Sequence, residues 1–90
     1  GTGQFSPYAS TDIKEMVASV LQAGAFFDID AEDPLTGETA LLKVVRIQDL
    51  DSAKELIGSG ADVNYQDKLG FSALMRVVET GYLKMAEALI

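Results

Sequence analysis

The side chains of this chain to which proton chemistry could fall are its carboxylates and lysines. It has 14 Asp and Glu, seven Lys and Arg, and neither histidine nor cysteine. Five carboxylates gather in one short stretch: Asp28, Asp30, Glu32, Asp33 and Glu38. Asp28-x-Asp30-x-Glu32 has the alternating oxygens with which a calcium loop begins. The rest of that pattern is missing, because Asp33 stands at the sixth position where a sharp turn needs glycine. Thr39 stands at the twelfth, where a bidentate glutamate is needed, and Pro34 stiffens the loop. No metal is therefore expected. The stretch reads as a solvated loop insertion, with a patch for a basic partner surface as the second reading. Nucleophile elbows and phosphate-binding Gly-x-x-x-x-Gly-Lys loops are also missing. No pattern gives two carboxylates the buried pocket that would split their pKa values. Neither catalysis nor a cofactor is expected within these residues.

The elements that must position these groups are small and soluble in character. Ninety residues make at most one small domain, of modest burial and thin stability unless its core is extended. Apolar residues make up 48% and charged residues 23%, which suits a folded chain better than a disordered one. A net charge of −7 disfavours nucleic acid or an anionic membrane as partner. No apolar run reaches the roughly 18 residues of a membrane span, and no signal peptide is legible. Without cysteine there is no disulfide framework, and a cytoplasmic setting is expected. Gly1-Thr2-Gly3 reads as an expression scar, and residues 1–10, around Phe5 and Tyr8, as an irregular segment that can lie over the first helix.

One stretch occurs twice. Gly37-Glu38-Thr39-Ala40-Leu41-Leu42-Lys43-Val44-Val45 returns 33 residues later as Gly70-Phe71-Ser72-Ala73-Leu74-Met75-Arg76-Val77-Val78. Residues 37–57 and 70–90 share nine identities in 21, a fixed period that marks stacked supersecondary units. Helical patterning agrees. Ile13, Met16, Val17, Val20 and Leu21 form one apolar stripe from about Thr11, capped by Thr11 or Asp12 and stopped by Gly24. Short helices are expected at about Ala40–Ile47, capped by Thr39, and at about Asp51–Gly58. A second pair should span Ala73–Thr80 and Leu83–Ile90. Gly24 to Gly37 is 13 residues against 10 from Gly60 to Gly70, a three-residue insertion. Lys43 and Arg76 share a repeat position and should stack as a basic stripe on a solvated helix face, or else hold a partner carboxylate. Of Phe26 and Phe27, one should cover the first unit while the other stays exposed.

Short helix, turn, helix, glycine and extended loop, with Gly60-Ala61-Asp62-Val63-Asn64 and the Gly-x-Thr/Ser-x-Leu entries at Gly37 and Gly70, resembles the ankyrin repeat. The resemblance covers about 80 of the 90 residues. It implies an all-α helix-turn-helix solenoid with short β-turn fingers. Residues 11–33 would be a partial first repeat, 34–66 a full repeat, and 67–90 a repeat truncated after its second helix. Family members usually carry Thr-Pro-Leu-His where this chain has Thr39-Ala40-Leu41-Leu42 and Ser72-Ala73-Leu74-Met75. Leu42 and Met75 should gain apolar contact in place of the missing histidine. Gln48 stands where Gly81 stands, so the first inter-helix turn should be the less relaxed of the two.

The resemblance implies a non-catalytic module that binds another protein through its loop tips and the concave face of its first helices. That selects Leu35, Thr36, Glu38, Arg46 and Ile47 in one repeat. In the next it selects Lys68, Leu69, Phe71, Glu79 and Thr80, with Tyr65 and Gln66 leading in. Local packing is the competing role for Tyr65, Leu69 and Phe71. Two other functional classes stay open: a recognition or regulatory arm of an enzyme beyond this chain, and a structural stack that self-associates through its uncapped Ala88-Leu89-Ile90 end.

Overall fold

The computed structural model of the chain describes residues 6–9 and 12–90. Five α-helices follow one another: α1 (Ile13–Ala23), α2 (Ala40–Arg46), α3 (Leu50–Gly58), α4 (Ala73–Thr80) and α5 (Leu83–Leu89). Short 3-10 turns occupy Pro7–Ala9 and Gly24–Phe26. The expected boundaries hold to within about a residue. Thr11 and Phe5 lie outside the described residues; Asp12 caps α1, its side chain accepting from the Lys14 N–H at 2.9 Å. Thr39 and Ser72 cap α2 and α4, each hydroxyl accepting the N–H three residues on at 3.3 Å. No β-strand forms among the described residues; an isolated antiparallel bridge joins Gln66 and Ser72 at the base of a finger.

Helices α2 and α3 pair, as do α4 and α5, and the pairs stack so that α2 lies against α4 and α3 against α5. On the other side α1 packs on both α2 and α3. Repeat two is thus covered on both faces, and α2 shows it: all six residues Ala40–Val45 are buried. The core runs from Met16, Val17 and Val20 through Leu41, Val44, Ala53 and Leu56 to Ala73, Val77, Met85 and Leu89.

The three-residue insertion is split. Asp28 to Asp33 and Asp62 to Asp67 are equal in length, so these segments superpose in register. Two extra residues form the 3-10 turn after α1, and the third widens the following finger turn. Because of the first two, Phe27 stands where Ala61 stands in the next repeat. Phe27 packs on the core and meets the Tyr8 ring edge-on at 5.9 Å, while Phe26 is 95% exposed, the division expected of this pair.

Gln48 carries the only positive φ among the described non-glycine residues, +62°, and Gly81 at the equivalent turn has +73°. A side chain in this left-handed region costs about 1–2 kcal/mol. Replacing Gln48 with glycine should therefore raise the urea midpoint, by up to about 1 kcal/mol in stability after glycine's added unfolded-state entropy is offset. The reverse change, Gly81→Gln, should lower it by a similar amount. Removing the buried Thr39 cap (Thr39→Ala) should cost about 1 kcal/mol in the same assay.

Candidate functional site

Each finger is built on an aspartate. Asp33 closes the first turn with its backbone: its carbonyl accepts from Gly37 N–H at 2.7 Å, and its own N–H donates to the Glu38 carbonyl at 2.8 Å. Asp67 does the same in the second finger, with Gly70 and Phe71, at 2.9 Å each. Their side chains repeat one another too. One Asp33 oxygen accepts from the Leu35 N–H, and one Asp67 oxygen accepts from the N–H groups of Leu69 and Phe71. The second oxygen of each reaches the first helix of its own repeat, Asp33 to Lys43 Nζ and Asp67 to Arg76 Nη2, both at 2.8 Å.

These pairs overturn the expected basic stripe. Lys43 is buried, with Asp33 on one side, Glu38 3.9 Å away and the Tyr8 ring 5.6 Å from its ammonium. Arg76 is half-buried, its guanidinium 4.1 Å above the Phe71 ring. Neither faces solvent as a free cation, because a turn carboxylate in the same repeat takes each one. Repeat register alone shows where the cations lie. The aspartates escape it because the extra finger residue puts Asp33 ten positions before Lys43, but Asp67 nine before Arg76.

The carboxylates of the acidic loop are likewise spent on the protein. Asp28 accepts from the Asp30 N–H, and Asp30 accepts from the Asp62 N–H of the next finger at 2.7 Å. Glu32 accepts the Tyr65 hydroxyl proton, tying the same two fingers together. That bond holds the Tyr65 phenol up at about 12, and burial does the same to Tyr8, whose hydroxyl donates to the Ala31 carbonyl at 2.7 Å.

The predicted contact residues separate into exposed and occupied ones. Leu35 and Leu69 take the same place in successive turns and are 89% and 77% exposed. Thr36 and Lys68 flank them and are exposed, the Lys68 stem lying against Gly37 of the neighbouring finger. Farther along, Ile47, Glu79 and Thr80 are exposed at the ends of the first helices. Glu38 and Arg46 are paired with each other by two bonds of 2.9 and 3.1 Å. Tyr65 and Phe71 are half-buried and held by Glu32 and Arg76. Leu42 is buried as expected, but Met75 is 47% exposed, since among the described residues no helix lies on α4 as α4 lies on α2.

Breaking the buried pair should cost far more than breaking the outer one. Lys43→Ala leaves Asp33 buried without its cation and should lose about 3 kcal/mol of stability; Arg76→Ala should lose about 1 kcal/mol or less. Acid should act through the same groups. Burial works to raise the Asp33 carboxyl, but Lys43 and the Leu35 N–H outweigh it and hold it below the usual range; Asp49 is lowered against burial by Ser52 and Lys14, and Asp67 is lowered foremost by Arg76. The unfolded chain therefore takes up protons first. Stability from these groups is complete above the ordinary carboxylate pKa of about 4 and drains as pH falls below it. Urea midpoints should be flat from about pH 7 to 5.5 and fall steeply towards pH 3, with a shallower fall in Asp67→Asn.

Comparison with known proteins agrees with this architecture. The family described as "Ankyrin repeats (3 copies)" matches residues 8–90. The Neurogenic locus Notch protein of Drosophila melanogaster is 32% identical over 76 residues, which is 84% of this chain. That span is only 3% of the Notch protein's own length. Helix pairs in a fixed 33-residue register, turn fingers between them and this family match lead to one assignment: the chain belongs to the ankyrin-repeat family.

Proposed function

We propose that the chain is a non-catalytic protein-interaction module that holds its partner at the finger tips, with Leu35 and Leu69 as paired apolar anchors. The observation that carries this reading is their equivalence. Two leucines stand at one turn position of successive repeats, each with its N–H pinned by an aspartate and its side chain in solvent. A rigid backbone presenting an uncovered apolar side chain loses little entropy on binding, which is what makes an anchor effective. Thr36 and Lys68 form the polar rim. Ile47, Arg46, Glu79 and Thr80 extend the contact along the first helices, where Arg46 can keep Glu38 while offering its remaining N–H donors to a partner. Tyr65 and Phe71 act from beneath, setting the finger rather than touching the partner first. The buried and half-buried carboxylates Asp33, Glu38, Asp49 and Asp67 serve as caps, turn acceptors and ion-pair partners, which is the basis for inferring that the module itself performs no reaction.

The test is capture of a partner by the natural chain and by a Leu35→Glu, Leu69→Glu double variant whose circular dichroism and melting match the natural chain. Both side chains are exposed, so the fold should be unchanged. A partner bound by the natural chain should bind the variant about 100-fold or more weakly. Equal affinity for both proteins would move the interface off the finger tips.

A further inference from the structure

The two fingers, residues 33–38 and 67–71, carry four charged side chains: Asp33, Glu38, Asp67 and Lys68. The carboxylates are all spent within the chain, Asp33 on Lys43, Glu38 on Arg46 and Asp67 on Arg76, at 2.8, 2.9 and 2.8 Å. Lys68 is the exception. It is exposed, and its ammonium has no carboxylate partner among the described residues. The remaining lysines are placed elsewhere: Lys14 is tied to Asp49, and Lys54 and Lys84 line a groove between α3 and α5.

The Lys68 stem crosses to the neighbouring finger. It lies over Gly37, where an added Cβ would stand 2.7 Å from its Cε, 3.0 Å from its Cγ and 3.1 Å from its Cδ. Gly37 is buried beneath it, whereas Gly70, the counterpart in the second finger, is exposed and has nothing within 4 Å of an added Cβ. Lys68 thus begins beside Leu69 in sequence and ends against the turn that carries Leu35, bridging the two apolar tips. Laying the stem on Gly37 removes part of the rotamer freedom that a lysine otherwise loses on pairing.

We infer that Lys68 is the seat for a carboxylate of the partner, and that the ligand is a linear segment with an aspartate or glutamate between two apolar side chains. This rests on the finger-tip reading: a ligand that covers both Leu35 and Leu69 also crosses the Lys68 stem. A cation covered in that way loses water, and leaving it unpaired costs far more than pairing it. The finger carboxylates are already engaged, so the partner supplies the anion. Apolar contact is needed on both sides of the acidic residue, which makes it an internal side chain rather than a terminal carboxylate. A single ammonium matches a single negative charge; a phosphoryl group, with close to two charges and three acceptor oxygens, calls for several donors. The net charge of −7 would by itself favour a basic ligand. At physiological salt that field is screened beyond about 8 Å, so local pairing decides which residue is seated here.

Selection from a displayed library of random linear peptides at physiological salt tests it. The natural chain should enrich peptides with Asp or Glu flanked on both sides by large apolar residues. Lys68→Gln, at an exposed position, should keep the natural chain's melting and the apolar preference but lose the acidic one. A selected peptide should bind that variant about 10-fold more weakly. The same peptide with its carboxylate changed to the amide should bind both proteins alike. Lys68→Glu should turn the preference to Lys or Arg, whereas Lys84→Glu, an equal change in net charge made in the α3/α5 groove, should leave it acidic. A selected pool enriched in apolar residues alone, or an acidic preference that survives Lys68→Gln, would overturn the inference and leave the leucine anchors standing. Pools unchanged by the Leu35→Glu, Leu69→Glu double variant would instead sink the finger-tip reading, and this inference with it.

Discussion

Everything in this molecule depends on one constraint: a pair of short helices has two apolar faces and can cover neither by itself. Burial has to come from a neighbour. Repeat two shows the constraint satisfied, since α2 is enclosed between α1 and α4 and keeps six consecutive residues from solvent, a lysine among them. Helices of seven to nine residues are too short to be stable alone in water, so α2–α5 owe their order to this contact more than to helix propensity. The hydroxyl caps at Thr39 and Ser72 fix where the first helix of each pair starts, and the glycine after it or the strained Gln48 fixes the turn.

The second tier is electrostatic, and it works inside the chain rather than at its surface. Asp33 and Asp67 each use one oxygen to hold a turn and the other to fasten that turn to a helix. Asp30 and Glu32 fasten one finger to the next. An acidic composition that reads as a solvated loop, or secondly as a patch for a basic partner, thus supplies acceptors for backbone N–H groups, a phenol and four cations.

Architecture was legible in the sequence because it rests on periodic features. The 33-residue repeat, the apolar stripe of α1, the Thr39 and Ser72 caps and the Gln48/Gly81 contrast are local or registered, and the helices form where those signals lie. What could not be read were pairings between a loop and a helix. The fate of Lys43 depended on whether Asp33 turned inward, which an insertion of one residue disguises. Met75 was expected to behave like Leu42, but sequence identity at a repeat position fixes chemistry and not coverage; coverage belongs to the neighbour. Among the candidate contact residues, Leu35 and Leu69 stand free, whereas Glu38, Arg46, Tyr65 and Phe71 are already engaged, a distinction that only three-dimensional contacts supply.

The Asp67–Arg76 clamp makes the shape of the second finger and the folding of the last helix pair a single equilibrium. Arg76 sits on α4, so the carboxylate that pins the Leu69 N–H is fastened to a helix only where α4 is formed. Among the described residues that pair packs on α2 and α3. Thermodynamic linkage then runs both ways: whatever fixes the Leu69 turn draws the helix pair toward its ordered state, and an ordered helix pair raises the population in which the turn is pinned. Order at the second finger is in this sense a property of the whole repeat that carries it, set in part by helix faces that the turn never touches.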